Sequence, residues 1–148
     1  MADSAILLDT SVLIHATFSD LPCHDAIWVE LDRARKGAGN YCVCVHSLAE
    51  LAWIASDPVL VRAPDTPELV RRKLEEFLGA RFLGKLPIGP ATVLRQAELI
   101  ERCALVGPRT ADALIVAAML EHGVPRLHTL HPQDFAVFTE IRAVNPYL

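Results

Sequence analysis

The chain has 148 residues, 52% of them hydrophobic and 22% charged, which supplies a core for one soluble domain over residues 1–148 and excludes a disordered tail or fibrous repeat. Lys and Arg number 14 against 18 Asp and Glu, a net charge of −4, and no block of five like charges occurs, so a generic phosphate-coating basic protein is excluded too. The longest apolar run, Ala113 to Leu120, falls far short of the roughly 18 residues that a membrane span needs.

The opening stretch has no positive segment, and Asp9 cuts its apolar run, so it does not read as a signal peptide and a cytoplasmic location is expected. Ala5 to Leu8 reads as a buried strand running into a helix capped by Thr10 or Ser11. Pro22 to Lys36 reads as an amphipathic helix stopped by Gly37 and Gly39. Tyr41 to Val45 is a second strand, on which Cys42 and Cys44 would share one face. Ser47-Leu48-Ala49-Glu50 then matches a capping box opening a helix to about Ala55. Pro58, Pro64 and Pro67 make the next stretch a loop. Pro67 to Phe82 is a helix with Val70, Leu74, Phe77 and Leu78 on its apolar stripe. Gly84 to Pro90 reads as a connection, followed by a helix to near Gly107. Thr110 caps the next helix, and Ala111 to Glu121, apolar almost all round, is a central helix stopped by Gly123 and Pro125. Arg126 to Thr129 and Ile141 to Val144 are short strands around a loop or helical turn at Pro132 to Phe135. Strands separated by helices imply crossovers, hence a three-layer α/β/α sandwich with a mainly parallel sheet and a site at the strands' carboxyl ends.

Of the four cysteines, Cys23, Cys42, Cys44 and Cys103, no two form a C-x-x-C pair, so reduced thiols are expected. The six histidines, at 15, 24, 46, 122, 128 and 131, show no metal-ligand spacing, although His128 and His131 lie near the late acid. Dinucleotide, P-loop, zincin and nucleophile-elbow motifs are absent. What remains is a set of acids at the ends or first turns of elements: Asp9, Glu50, Asp112 and Asp134. Each has an ordinary structural explanation, as a helix cap, a capping-box acid, a helix-dipole acid and a turn residue. Gathered in one pocket, they would need a proton or a cation between them, and oxygen-only ligands suit Mg²⁺ or Mn²⁺.

Leu7-Leu8-Asp9-Thr10-Ser11-Val12-Leu13-Ile14 resembles the opening motif of PIN-domain nucleases, and Thr110-Ala111-Asp112-Ala113-Leu114-Ile115 resembles their central acidic helix. Ser47 to Leu51 falls where the family's second acid is expected. Leu127 to Phe135 is similar to its closing strand, threonine and terminal Asp-Phe, with His131 where the family often carries Asn or Asp. The resemblance covers essentially the whole chain and is nearest to small VapC-type toxins.

It implies a metal-dependent endoribonuclease in which Asp9, Glu50, Asp112 and Asp134 hold one or two Mg²⁺ or Mn²⁺ ions, leaving 5′-phosphate and 3′-hydroxyl products. Thr10, Ser11 and Thr129 would orient ligands or waters, unless they are only caps and strand-end hydroxyls. Arg109 either neutralises Asp112 or, with His131, contacts RNA. The resemblance also implies a small antitoxin partner held by apolar groups of the early helices, and a homodimer. Setting aside the four acids leaves acidic and basic residues equal in number, so net charge does not oppose RNA. Arg33, Arg35 and Lys36, and Arg71, Arg72 and Lys73, are either RNA-steering patches or ion pairs such as Arg71 with Glu75 and Arg72 with Glu76. Trp28 and Trp53 are expected in the core or at a subunit interface. The competing function is a PIN-like module that binds RNA or protein without cleaving it. A dehalogenase-type phosphatase would need D-x-D after the first strand, and residue 11 is Ser.

Overall fold

The computed structural model describes residues 5–148; the first four residues, part of the opening stretch, lie outside the described residues. Five strands, β1 (Ala5–Leu8), β2 (Asn40–Cys44), β3 (Leu83–Leu86), β4 (Arg126–His128) and β5 (Arg142–Val144), form one sheet in the order β3-β2-β1-β4-β5. All four pairings are parallel, with Leu7 opposite Cys42 on one side and Leu127 on the other. The helices are α1 (Thr10–Thr17), α2 (His24–Arg35), α3 (Val45–Ser56), α4 (Pro67–Gly79), α5 (Pro90–Cys103) and α6 (Arg109–His122), with a 3-10 turn at Pro132–Phe135. Among the described residues no helix is long and apolar enough to cross a membrane.

Alternation along the strands divides the apolar material into two layers. Ala5, Leu7, Cys42, Cys44 and Leu127 face α5 and α6, where Ala113, Val116, Ala117 and Met119 fill the space. Ile6, Leu8 and Val43 face the other way, against Val12 and Leu13 of α1, Ile27 and Leu31 of α2, and Leu48 and Leu51 of α3. A sheet covered on both faces explains why its central strands read as unbroken apolar runs. The shared face of Cys42 and Cys44 is as expected, and all four cysteines are free.

Several expectations at element ends are corrected. The segment from Gly84 reads as a connection in the sequence, yet Leu83–Leu86 is the edge strand β3. Its burial pattern lacks strict alternation, and Gly84 is there because a Cβ would stand 3.3 Å from the Cβ of Cys42 on the adjacent strand. Helix α4 stops at Gly79 rather than Phe82, so the chain can turn into β3, and Leu78 is exposed rather than part of a buried stripe. The Ser47 capping box does not form: α3 starts two residues earlier, directly from β2, and the buried Ser47 hydroxyl has no partner. Thr10 and Thr110 are not caps either, because α1 and α6 begin before those hydroxyls can serve; that of Thr110 donates to the Gly107 carbonyl at 2.8 Å. Thr66, which the sequence reading passes over, does cap α4: its hydroxyl accepts the Leu69 amide at 3.2 Å. Neither tryptophan is core: Trp28 is half exposed with its indole N–H donating to the Ala16 carbonyl, and Trp53 is more exposed still.

Leu7 is fully buried at the centre of the sheet, whereas Leu78 lies on the surface. Leu7→Ala should cost about 2–5 kcal/mol and Leu78→Ala less than about 0.5 kcal/mol, read from urea unfolding midpoints at unchanged slope.

Candidate active site

Strand β1 ends at Leu8, and the next residue carries the first acid on extended backbone at the N-terminus of α1. The Asp9 amide donates to the His128 carbonyl at 3.0 Å, which continues the β1–β4 ladder by one bond. Its carboxylate does not cap the helix. Oδ2 accepts from the hydroxyl of Thr129 at 2.7 Å and from that of Ser11 at 3.0 Å. Thr129 is fully buried, and its oxygen also accepts the His131 amide at 3.1 Å, while Ser11 accepts the Leu130 amide at 3.2 Å. Two hydroxyls and two amides therefore fix one oxygen of a nearly buried carboxylate, tying the end of β1 to the segment after β4.

Asp112 occupies the first turn of α6, where Arg109, one turn earlier, donates from Nε to its Oδ2 at 3.1 Å. The same guanidinium donates from Nη2 to the main-chain carbonyl of Asp134 in the 3-10 turn. Burial pushes the Asp112 carboxyl up from 3.8 to about 6; Arg109 opposes that rise, and the charges of Asp9 and Asp134 add to it. Three of the four candidate acids, Asp9, Asp112 and Asp134, thus share one electrostatic environment at the carboxyl ends of β1 and β4.

Glu50 lies in the second turn of α3 rather than at a helix start. It accepts the Thr10 hydroxyl at 2.9 Å and has His46 Nε2 at 3.4 Å, an ion-pair distance, so its link to the other acids runs only through the residue that follows Asp9. Sequence reasoning does not single out His46; its position one turn before Glu50 is the available signal. It misses His15 likewise, although His15 follows Ser11 by one helical turn. The His15 Nδ1 accepts the Cys23 amide at 3.4 Å, and burial, then the charge of nearby His131, holds its pKa below the ordinary value. The role of His128 is structural, since its ring pairs with Glu30 of α2 at 2.7 Å. Burial raises the Glu30 carboxyl, but the hydrogen-bonded His128 and the neighbouring Tyr147 and Tyr41 outweigh it and leave the net shift downward.

Among the described residues no three His, Cys, Asp or Glu side chains stand ready to hold a metal ion. Mg²⁺ does not require such a cage, since one or two carboxylates, waters and substrate phosphates suffice. The donors at hand are all oxygens, from carboxylates and hydroxyls, and that chemistry fits a hard divalent ion.

The proposed basic patches are largely neutralised. Arg35 and Lys36 share Asp32, Arg71 pairs with Glu75, Arg72 with Glu68 rather than Glu76, and Lys73 with the buried Asp65 at 2.6 Å. Away from the acids, an apolar cleft of about 490 Å³ opens between α1, α2 and α4, lined among others by Ala16, Trp28, Leu31 and Phe77.

The sequence model of the PIN domain matches residues 6–136. The chain belongs to the PIN domain family. A relative, ribonuclease VapC48 of Mycobacterium tuberculosis, is 29% identical over 143 residues, covering 94% of this chain and 95% of that protein. Among solved structures, VapBC2 from Rickettsia felis, bound to a DNA fragment from its promoter, superposes with a TM-score of 0.69 at 19% identity, over 95% of this chain and 98% of that one. VapC20 of M. tuberculosis, a toxin that cleaves the sarcin-ricin loop, gives 0.67 at 16% identity over 93% and 98%. At such identities the superpositions establish the shared fold: a PIN domain built as a three-layer α/β/α sandwich on a parallel sheet.

The raised pKa of Asp112 has a signed consequence. The folded protein holds that proton more tightly than the unfolded chain, so the group's stabilising contribution is complete below 3.8 and is lost as pH rises through about 6. Asp112→Asn should therefore be more stable than wild type at pH 7.5, by on the order of 1–2 kcal/mol, with the gap closing towards pH 4. Paired urea titrations at the two pH values measure it.

Proposed function

We propose that this protein is a divalent-metal-dependent endoribonuclease that hydrolyses RNA phosphodiester bonds and acts in the cytoplasm as the toxin of a toxin–antitoxin pair. The observation that carries the reading is the grouping of Asp9 and Asp134 around Asp112, whose carboxyl is pushed up to about 6, chiefly by burial. Family membership gives the chemistry its context, and ribonuclease VapC48 and the VapBC structures are the relatives that point to an RNA-cleaving toxin.

Asp9 and Asp112, with Asp134 and Glu50 directly or through water, would hold one or two Mg²⁺ or Mn²⁺ ions. When bound, such ions supply the positive charge that makes a water acidic enough to attack phosphorus and that stabilises the charge building on the phosphate. The chain's own residues do the positioning. Thr129 and Ser11 fix Oδ2 of Asp9 and leave the carboxylate's remaining lone pairs for a ligand. Thr10 steadies Glu50 by its hydroxyl. His131, exposed beside Thr129, would contact the RNA, and the expected products are 5′-phosphate and 3′-hydroxyl ends. The cleft between α1, α2 and α4 is the groove assigned to an antitoxin segment, with Trp28 at its lip, and the working unit is a homodimer.

The test is cleavage of a mixed pool of structured RNAs by antitoxin-free protein with Mg²⁺, with Mn²⁺ and with chelator. Activity should require the metal, and Asp9→Asn should lower the rate by at least about 100-fold while the fold, followed by circular dichroism, is kept. Equal behaviour of wild type and Asp9→Asn would replace catalysis with a binding module. Thr129→Val, which removes the hydroxyl from Asp9 and leaves the buried volume nearly unchanged, should lower the rate by roughly tenfold or more at saturating RNA.

A further inference from the structure

Arg109 is the first residue of α6 and Asp112 lies one turn on, so the spacing alone brings guanidinium and carboxylate together. The contact reaches further than a helix pair does. Nε holds Oδ2 of Asp112 at 3.1 Å, and Nη2 holds the carbonyl of Asp134, so one planar cation bridges two of the candidate metal-binding residues through different atoms. Neither contact is with an incidental surface acid: the partners belong to the acid group, whereas Arg71 with Glu75 and Arg95 with Glu98 pair along exposed helix faces.

We propose that Arg109 is the acid group's own exchangeable counter-cation, holding Asp112 and the Asp134 turn together without metal and giving up Asp112 when a divalent ion binds. The inference rests on the metal-dependent reading above. Two cations on one partly buried carboxylate repel each other, so the guanidinium and the ion compete for Oδ2 rather than add. The Arg109 side chain is partly exposed, which gives it room to leave, while the Asp134 carbonyl offers a tether that a metal ion on the carboxylates does not displace. The device keeps the carboxylates assembled between metal-bound periods, at the expense of weaker metal binding.

Mn²⁺ binding to the antitoxin-free protein, measured by calorimetry and by loss of the free-ion electron paramagnetic resonance signal with no RNA present, reads the exchange directly. Arg109→Gln should bind Mn²⁺ roughly five- to tenfold more tightly than wild type, and Arg109→Lys, which keeps the charge, should stay within about twofold. In wild-type protein, Mg²⁺ titration followed by NMR should move the Arg109 Nε–H signal together with the Asp112 carboxyl signal, a readout that needs no variant. Unchanged or weaker Mn²⁺ binding by Arg109→Gln, or an Arg109 signal that stays fixed while that of Asp112 shifts, overturns the proposal and leaves metal dependence standing. Absence of Mn²⁺ binding in every protein, Asp112→Asn included, overturns both.

Discussion

The bond from Thr129 to Asp9 joins residues 120 apart in sequence, and the arrangement of the acid group depends on it. Strand β1 lies in the middle of the sheet, paired with β2 on one side and β4 on the other, so its carboxyl end is held from both sides before any side chain contributes. The Asp9 amide extends the ladder to His128, and the Thr129 hydroxyl then settles which way the carboxylate points. Because side chains alternate along β4, the register that puts Leu127 into one core layer sends the ring of His128 to the other, where Glu30 takes it. A slip of one residue would bury His128 among α6 side chains and remove Thr129 from Asp9. Core register and carboxylate orientation are thus the same constraint.

Much of this was legible in the sequence, for identifiable reasons. The unbroken runs Ala5 to Leu8 and Tyr41 to Val45, each followed by a helical pattern, could belong only to strands covered on both faces, and β1 and β2 lie there. The apolar girth of Ala111 to Glu121 made α6 central, and six of its residues are buried. What failed were local signals overridden by tertiary structure. Ser47-x-x-Glu50 has the letters of a capping box, but β2 enters α3 without a loop, so the box is inside the helix and Glu50 is released towards Thr10. Strand β3 was hidden because an edge strand with Gly84 packed against Cys42 shows no alternation to read. Leu78 followed the helical stripe yet stays exposed, since helix α4 buries no residue completely and leans on the core only through Leu74 and Phe77.

The acids were readable as a set and not as a geometry. Sequence order placed Asp9, Asp112 and Asp134 at element ends, but only the parallel order β2-β1-β4 brings those ends to one edge. The partners that tune them come from elsewhere: Thr129 from beyond β4, and Arg109, whose second contact is a main-chain carbonyl that no side-chain pattern reveals. His15 and His46 sit one helical turn from Ser11 and Glu50, a spacing that gains meaning only once Ser11 is known to bond Asp9 and Glu50 to bond Thr10.

Asp112 shows why the ordinary structural explanations do not suffice. A carboxylate in the first turn of a helix is stabilised by the helix dipole by about 0.3–1 kcal/mol and should be easier to ionise, not harder. Here the carboxyl moves up from 3.8 to about 6 even with Arg109 bonded to it, a change of at most about 3 kcal/mol in the opposite direction. Burial and two neighbouring acids outweigh both the dipole and the guanidinium. An acid that served only to start α6 would sit better exposed and away from Asp9 and Asp134. At neutral pH its charge works against the folded state, and a carboxylate buried at such a cost beside Asp9 and Asp134 supports the proposed divalent-ion site.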